Sequence, residues 1–204
     1  MNTFNINELS DQLIQAIKRF NLQGKNLATS SNYSFRHPST NQIIITSSGI
    51  DKASISAQDL MTVTLEGKTL EGENRSPSAE TLLHTQLYEN PAIGCVVHNH
   101  SLNSIILSAH HFNQKIIEFE NLEILKAFTG QSTHQTKLIF PIFENTQDIA
   151  QLAGQVRDYL KIHPQTYGYY IHGHGIYSWG PNIPTAIRHL EALEYLTDYK
   201  LQMR

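Results

Sequence analysis

The chain has one cysteine, Cys95, and one tryptophan among its 204 residues. A single thiol excludes an intramolecular disulfide and fits a reducing compartment. Charge is scarce as well: 16% of residues are charged and the net charge is -3, with a pI of about 6.4. That balance leaves no basic footprint for a nucleic acid. No uninterrupted apolar run has the length of a membrane helix. The opening MNTFNINELS lacks the basic and apolar regions of a secretory signal, so the expected location is the cytoplasm. Internal repeats, linkers and low-complexity stretches are absent too. The reading is one domain over 1–204, long enough to bury a substantial core.

Periodicity supplies the elements. Leu9, Leu13, Ile14, Ile17 and Phe20 form a helical stripe over 7–21 that ends near Gly24. QIIIT (42–46), LMTVTLEG (60–67), IGCVV (93–97) and KLIFPIF (137–143) read as strands, and Pro141 in the last suggests an edge or a bulge. A helix is expected from Ser78 to about Tyr88, entered through Pro77, and another from near Ser101. Residues 113–134 carry no clear period. Asn145 with Asp148 resembles a cap for the face Ile149, Leu152, Ala153, Val156 and Leu160. YGYYIHGHGIYSWG (167–180) reads as two short strands around a glycine bend, and a closing helix carries Ile187, Leu190, Leu193 and Leu196. The predicted class is α/β, a mostly antiparallel sheet covered by helices.

Histidine is in excess, with 11 copies. His98 and His100 follow an apolar run and share a face if that strand continues through them. Catalytic zinc usually takes three protein ligands and keeps one position open. His174, between Gly173 and Gly175, is the best third candidate, because the backbone there can bend sharply. A lone His-x-His pair is as often a surface or hydrogen-bonded pair. Three hydroxyl-rich stretches precede it: NLATSSNYSFR (26–36), TSSGIDK (46–52) and SPSAE (76–80). Each alone reads as a loop. Together, with Lys52 adding charge, they suggest an anion pocket beside a metal.

ATSSNYSFR, ITSSGIDK, SPSAE, VVHNHS and GHGIYSWG, in this order, resemble the class II aldolase/adducin superfamily over about residues 8–200. SAETLLHTQLY (78–88), LEILKAFTGQSTH (122–134) and GHGIYSWGPNIPTAIRHLEALEYL (173–196) resemble its dehydratase branch acting on 5-methylthioribulose 1-phosphate. The resemblance implies a single-domain three-layer α/β/α fold and a homotetramer with sites near subunit boundaries. It also implies one zinc ion per subunit on His98, His100 and His174. The acid/base glutamate falls on Glu123, and phosphate contacts fall on Thr29, Asn32, Ser48, Gly49 and Ser78, with Lys52 as an addition. The implied reaction is loss of water to a 2,3-diketone of methionine salvage, with zinc as Lewis acid.

Leu122, Ile124, Leu125 and Phe128 surround Glu123 in sequence and predict a raised carboxyl pKa, whereas an ion pair with Lys126 would leave it a surface group. Two positions depart from the family pattern. His172 stands where relatives often have arginine, and Ser31 stands where a glycine commonly precedes the asparagine. Glu80 matches the base of sugar-phosphate aldolases, which keeps an aldolase or epimerase of the same fold open. A non-catalytic adducin-like interaction module is the third reading, and the intact histidines, glutamate and phosphate loops argue against it. Tyr177 and Trp179 are candidates for a methylthio pocket, with core packing the stronger reading.

Overall fold

A strand buried on both faces needs apolar residues at successive positions, and the run at 93–97 supplies them. It enters β4 (Cys95–Asn99), every residue of which is buried. A computed structural model describes residues 5–203. Around β4 lie β1 (Asn32–Arg36), β2 (Ile43–Thr46), β3 (Leu60–Val63), β5 (Ile116–Glu120), β6 (Lys137–Phe143), β7 (Gly168–Ile171) and β8 (Gly175–Gly180). They form one eight-stranded sheet in the order β3-β2-β1-β4-β8-β7-β6-β5. Each neighbouring pair is antiparallel except β6 with β7.

Helices cover both faces. On one, α1 (Ile6–Leu22), α3 (Leu102–His110) and α5 (Ile183–Gln202) pack Leu13, Ile17, Leu107, Leu190 and Leu193 onto Cys95, Val97 and Ile176. On the other, α2 (Thr81–Thr85) and α4 (Ile149–Ile162) pack Leu83, Leu152 and Val156 with Val96, Tyr177 and Trp179. Alternate residues of β4 and β8 thus serve two separate cores, as the period of two requires. The expected three-layer α/β/α arrangement is the one found. No helix among the described residues is long and apolar enough to cross a membrane.

Several local expectations need correction. β1 lies inside the stretch read as a loop; its polar residues are tolerated because β2 and β4 saturate both of its edges. β5 was hidden in the segment without a clear period, although Ile117 and Phe119 point to the core. β3 stops at Val63, and its remainder turns through Gly67 at φ 76°. α2 starts three residues later than Ser78 and tightens into a 3-10 turn at Gln86–Glu89. The cap of α4 is Asp148 alone, which accepts from Gln151 N at 2.9 Å. β6 is an inner strand, but β7 pairs only with Ile142 and Phe143, so Pro141 breaks no bond on that side.

Strand direction decides which loops meet. β4 and β7 both run antiparallel to β8, so their carboxyl ends share one end of the sheet with the start of β1 and the end of β2. At that end Gly175 lies against β4, where an added Cβ would sit 2.2 Å from Asn99 O. Gly175→Ala is therefore expected to destabilise the protein by about 1–3 kcal/mol through overpacking. Thermal unfolding checks this, and an unchanged Tm would show that the strands part without cost.

Candidate metal centre and anion pocket

His98 is the next-to-last residue of β4 and is fully buried. Its ring is clamped by Tyr177, stacked at a centroid distance of 4.0 Å, and by Nδ1, which donates to Ile176 O at 2.8 Å. A carbonyl only accepts, so Nδ1 carries the proton and Nε2 presents a lone pair. His100 lies just past the strand, its backbone N donating to Lys25 O at 3.2 Å. Lys25 is in turn tied to α5 by a 2.6 Å ion pair with Glu194. His174 sits in the turn between β7 and β8, after Gly173 at φ 64°.

The three Nε2 atoms converge. His98 to His100 is 2.8 Å, and His100 to His174 is 3.0 Å. Glu80 Oε1 lies 2.8 Å from His174 Nε2, and Glu80 Oε2 lies 3.6 Å from His98 Nε2. All four ligand atoms fall within 4.8 Å of one another. Burial drives His98 far below the usual imidazole range. It also pushes His100 down to about 4, with the neighbouring His174 adding to the effect. Burial alone would raise Glu80, but the imidazoles of His98 and His174 and the Asn32 amide outweigh it and keep the carboxylate ionised.

Three imidazole Nε2 atoms and a carboxylate facing one point form a donor set for a divalent transition ion. Four tetrahedral ligands at about 2.0–2.1 Å would stand roughly 3.3 Å apart, which falls between the 2.8 Å of the nearest pairs and the 4.8 Å that bounds the set. His172 is elsewhere: its ring stacks on Phe112 at 3.9 Å. Glu80, whose role the sequence left open, belongs to the cluster. Tyr177 is core, sandwiched between His98 and Tyr169, and Trp179 lines a separate cavity with Gln86 and Arg157.

Beside the cluster is a cavity of about 110 Å³, shared with Glu80 and His100. Thr29, Asn32, Ser48, Gly49, Lys52 and Ser78, drawn from all three hydroxyl-rich stretches, line it. Ser48 N donates to Ser76 O at 3.0 Å, which stitches the second stretch to the third. The first stretch turns through Ala28, Thr29 and Ser31 at φ 54°, 60° and 73°. Ser31 thus takes the left-handed geometry that suits glycine, at a cost of order 1–3 kcal/mol. Lys52 is no solvated loop lysine. It is 1% exposed, and its ammonium donates to Ile50 O at 3.0 Å and Thr29 O at 3.3 Å.

Glu123 is not brought to this site within one chain. It opens a 3-10 turn (Glu123–Ala127) after β5, and β5 runs opposite to β4 and β7. β5 also lies four places from β4 in the sheet, about 19 Å at the usual strand spacing. The expected apolar enclosure is missing. Its side chain is 69% exposed, beside Lys126 and 3.8 Å from His134, because the turn buries Leu125 and leaves Glu123 outside. The Lys126 ammonium lowers its pKa, opposite to the expected direction.

Burial lowers Lys52 to about 8. The ammonium is therefore charged below that pH and neutral above it, and anion affinity should fall as pH rises through about 8. Sulfate, which does not titrate there, is the probe for calorimetry. Lys52→Met should bind it more weakly and without that pH dependence; a sloping profile in the variant would remove Lys52 from the pocket.

The Class II Aldolase and Adducin N-terminal domain family matches residues 11–201. The methylthioribulose-1-phosphate dehydratase of Pseudomonas fluorescens (strain Pf0-1) is 44% identical over 198 residues, which cover 97% of this chain and 94% of the relative. That of Xylella fastidiosa (strain 9a5c) is 46% identical over 199 residues, covering 97% and 90%. Among solved structures, the L-fuculose-1-phosphate aldolase of Thermus thermophilus superposes with a TM-score of 0.76 at 24% identity, over 96% of this chain and 95% of that one. The chain belongs to the class II aldolase and adducin family, and the two curated relatives above, matched over nearly their full length, are methylthioribulose-1-phosphate dehydratases.

Proposed function

We propose that the protein is a zinc-dependent dehydratase that removes water from 5-methylthioribulose 1-phosphate to give 2,3-diketo-5-methylthiopentyl 1-phosphate. The observation that carries this reading is the shared wall. Glu80 and His100 belong to both the histidine cluster and the hydroxyl-lined cavity. A phosphate on C1 seated in that cavity puts C2 and C3 of a ketose beside the imidazoles. Similarity to the dehydratases over nearly the whole chain supports the substrate.

His98, His100 and His174 are assigned as the metal ligands. Zinc suits three imidazoles with an open position, and when bound it supplies Lewis acidity toward the ketone and adjacent hydroxyl oxygens. The rest of the work belongs to side chains. Thr29, Asn32, Ser48, Gly49 and Ser78 hold the phosphate through hydroxyl, amide and backbone N–H groups, and Lys52 adds a positive charge. This anchoring fixes the register of the carbon chain over the site. Glu123 takes the C3 proton and assists departure of the C4 hydroxyl as water.

That role requires a second copy of the chain, because Glu123 lies away from the cavity of its own subunit. Its surface, flanked by Leu122, Ile124 and the exposed Tyr195, is one that a neighbouring subunit can cover. Burial there would move its pKa upward, toward the range of a general base. We assign a homotetramer on this basis and on family resemblance. The cytoplasm is the assigned compartment, since charged sugar phosphates do not cross membranes unaided.

A second reading has its own observation: Glu80, the aldolase base by resemblance, is the carboxylate at the cluster. Assaying the purified, zinc-loaded protein separates the two. Diketone and water from methylthioribulose 1-phosphate support the dehydratase, whereas an aldehyde fragment would make it an aldolase.

His174→Ala should lose the single zinc per chain while His172→Ala keeps it, as read by elemental analysis; the reverse pattern would move the third ligand. Glu123→Gln should keep zinc and fold but lose turnover by roughly 10²-fold or more. Co-assembly of His98→Ala chains with Glu123→Gln chains should recover turnover, since some sites would combine intact halves. Near-normal turnover of the glutamine variant would make Glu123 structural and leave Glu80 as the base.

A further inference from the structure

Behind the anion pocket, a row of buried polar groups joins α2 to β1. The Tyr88 hydroxyl lies 2.8 Å from Ser34 Oγ, and Ser34 Oγ lies 2.8 Å from His84 Nδ1. His84 Nε2 lies 3.2 Å from Asn32 Oδ1. On its other side, Asn32 Nδ2 donates to Ser78 Oγ at 2.9 Å and to Glu80 Oε2 at 3.1 Å. Ser34 and His84 are fully buried and Tyr88 nearly so, so no solvent can substitute for a missing partner.

The chemistry of the groups fixes the direction of every bond. A carboxylate only accepts, so Asn32 turns Nδ2 toward Glu80 and leaves Oδ1 facing His84. Oδ1 needs a donor, which places the imidazole proton on Nε2. Nδ1 then accepts from the Ser34 hydroxyl, and Ser34 Oγ accepts from Tyr88. Burial lowers His84 to about 4, which keeps the ring neutral and able to accept at one nitrogen while donating at the other.

The row ends on a phosphate contact. Ser78 Oγ accepts from Asn32 Nδ2 and, at 3.2 Å, from Glu80 N. With both lone pairs taken, the Ser78 hydroxyl has its own hydrogen left to give, and it lines the cavity. If Asn32 flipped, Oδ1 would face the Glu80 carboxylate, and Ser78 would have to turn its hydrogen toward an oxygen of Asn32 or Glu80.

We propose that His84 is a positioning residue for the anion pocket: its neutral, Nε2-protonated ring locks the Asn32 amide and so makes Ser78 a donor to a bound phosphate. The activity arm of its test rests on the proposed dehydratase reading; the spectroscopic arm does not. A two-bond ¹H–¹⁵N spectrum of the whole protein should show His84 neutral with the proton on Nε2. A proton on Nδ1, or a doubly protonated ring at neutral pH, overturns the proposal.

His84→Leu should weaken inorganic phosphate binding about tenfold, the scale of one lost hydrogen bond, and raise KM in parallel, with bound zinc unchanged. His84→Gln, whose amide oxygen and nitrogen can replace Nδ1 and Nε2, should restore most of the loss even if the leucine variant folds poorly. In an Asn32→Ala background, His84→Leu should add less than about twofold, because it acts through Asn32. Effects that multiply, or a leucine variant with wild-type phosphate affinity, would sink the idea. A wild-type protein inert toward methylthioribulose 1-phosphate would remove the proposed reaction, while the spectrum and phosphate titrations would still decide the role of His84.

Discussion

The antiparallel pairing of β4 with β8 is the constraint on which the site depends. It sets His98 opposite Tyr177 and Asn99 opposite Ile176, which gives the His98 ring its stacking partner and its Nδ1 acceptor together. The same pairing brings the turn before β8 over the end of β4, and that turn carries His174. The register is held by burial: a one-residue slip of β8 against β4 would turn Tyr177 and Trp179 to the face that holds Cys95 and Val97. Gly175 permits the approach, because its backbone lies where a side chain would meet Asn99 O. A histidine cluster of this kind therefore takes its precision from strand pairing rather than from the flexibility of its side chains.

Electrostatics at the site follow from burial. Three imidazoles crowd together without repulsion because those of His98 and His100 are held neutral by desolvation, and one carboxylate offsets any positive charge placed among them. Lys52 supplies the opposite sign to that carboxylate from the wall of the cavity that it shares with Glu80 and His100. Such a pocket has polar groups with capacity to spare for an anion, and the loop that gives it Thr29 and Ser31 holds three left-handed non-glycine residues, Ala28, Thr29 and Ser31. Backbone strain held in a loop at a pocket is one way a fold pre-organises a binding site. The row from Tyr88 to Ser78 extends this order into the second layer, so that a hydroxyl at the cavity points in one direction.

Much of this was legible in the sequence, for a physical reason in each case. The helical stripe of α1 and the continuous apolar run into β4 are consequences of periodicity, and both elements appear within a few residues of their expected bounds. His98 and His100 two apart at a strand end, and His174 between two glycines, are three of the four residues of the cluster. The hydroxyl-rich stretches likewise named the lining of the cavity. β1 and β5 were hidden because polar residues such as Asn32 and Glu118 sit on strands whose backbone bonds, not their composition, hold them in the sheet.

What the sequence determined by itself is chemistry: which side chains can ligate, accept or carry charge, and the order in which they come. Direction and burial were decided only by the tertiary structure, because both depend on residues far apart in the chain. It placed Glu80 among the histidines and left Glu123 in solvent beside Lys126. It buried Lys52, whose charge the sequence offered without its surroundings. It also revealed His84, an ordinary histidine within a helical stretch, as the partner of Asn32 some fifty positions earlier. A local pattern cannot specify such a contact, since β2 and β3 lie between the two residues in the chain.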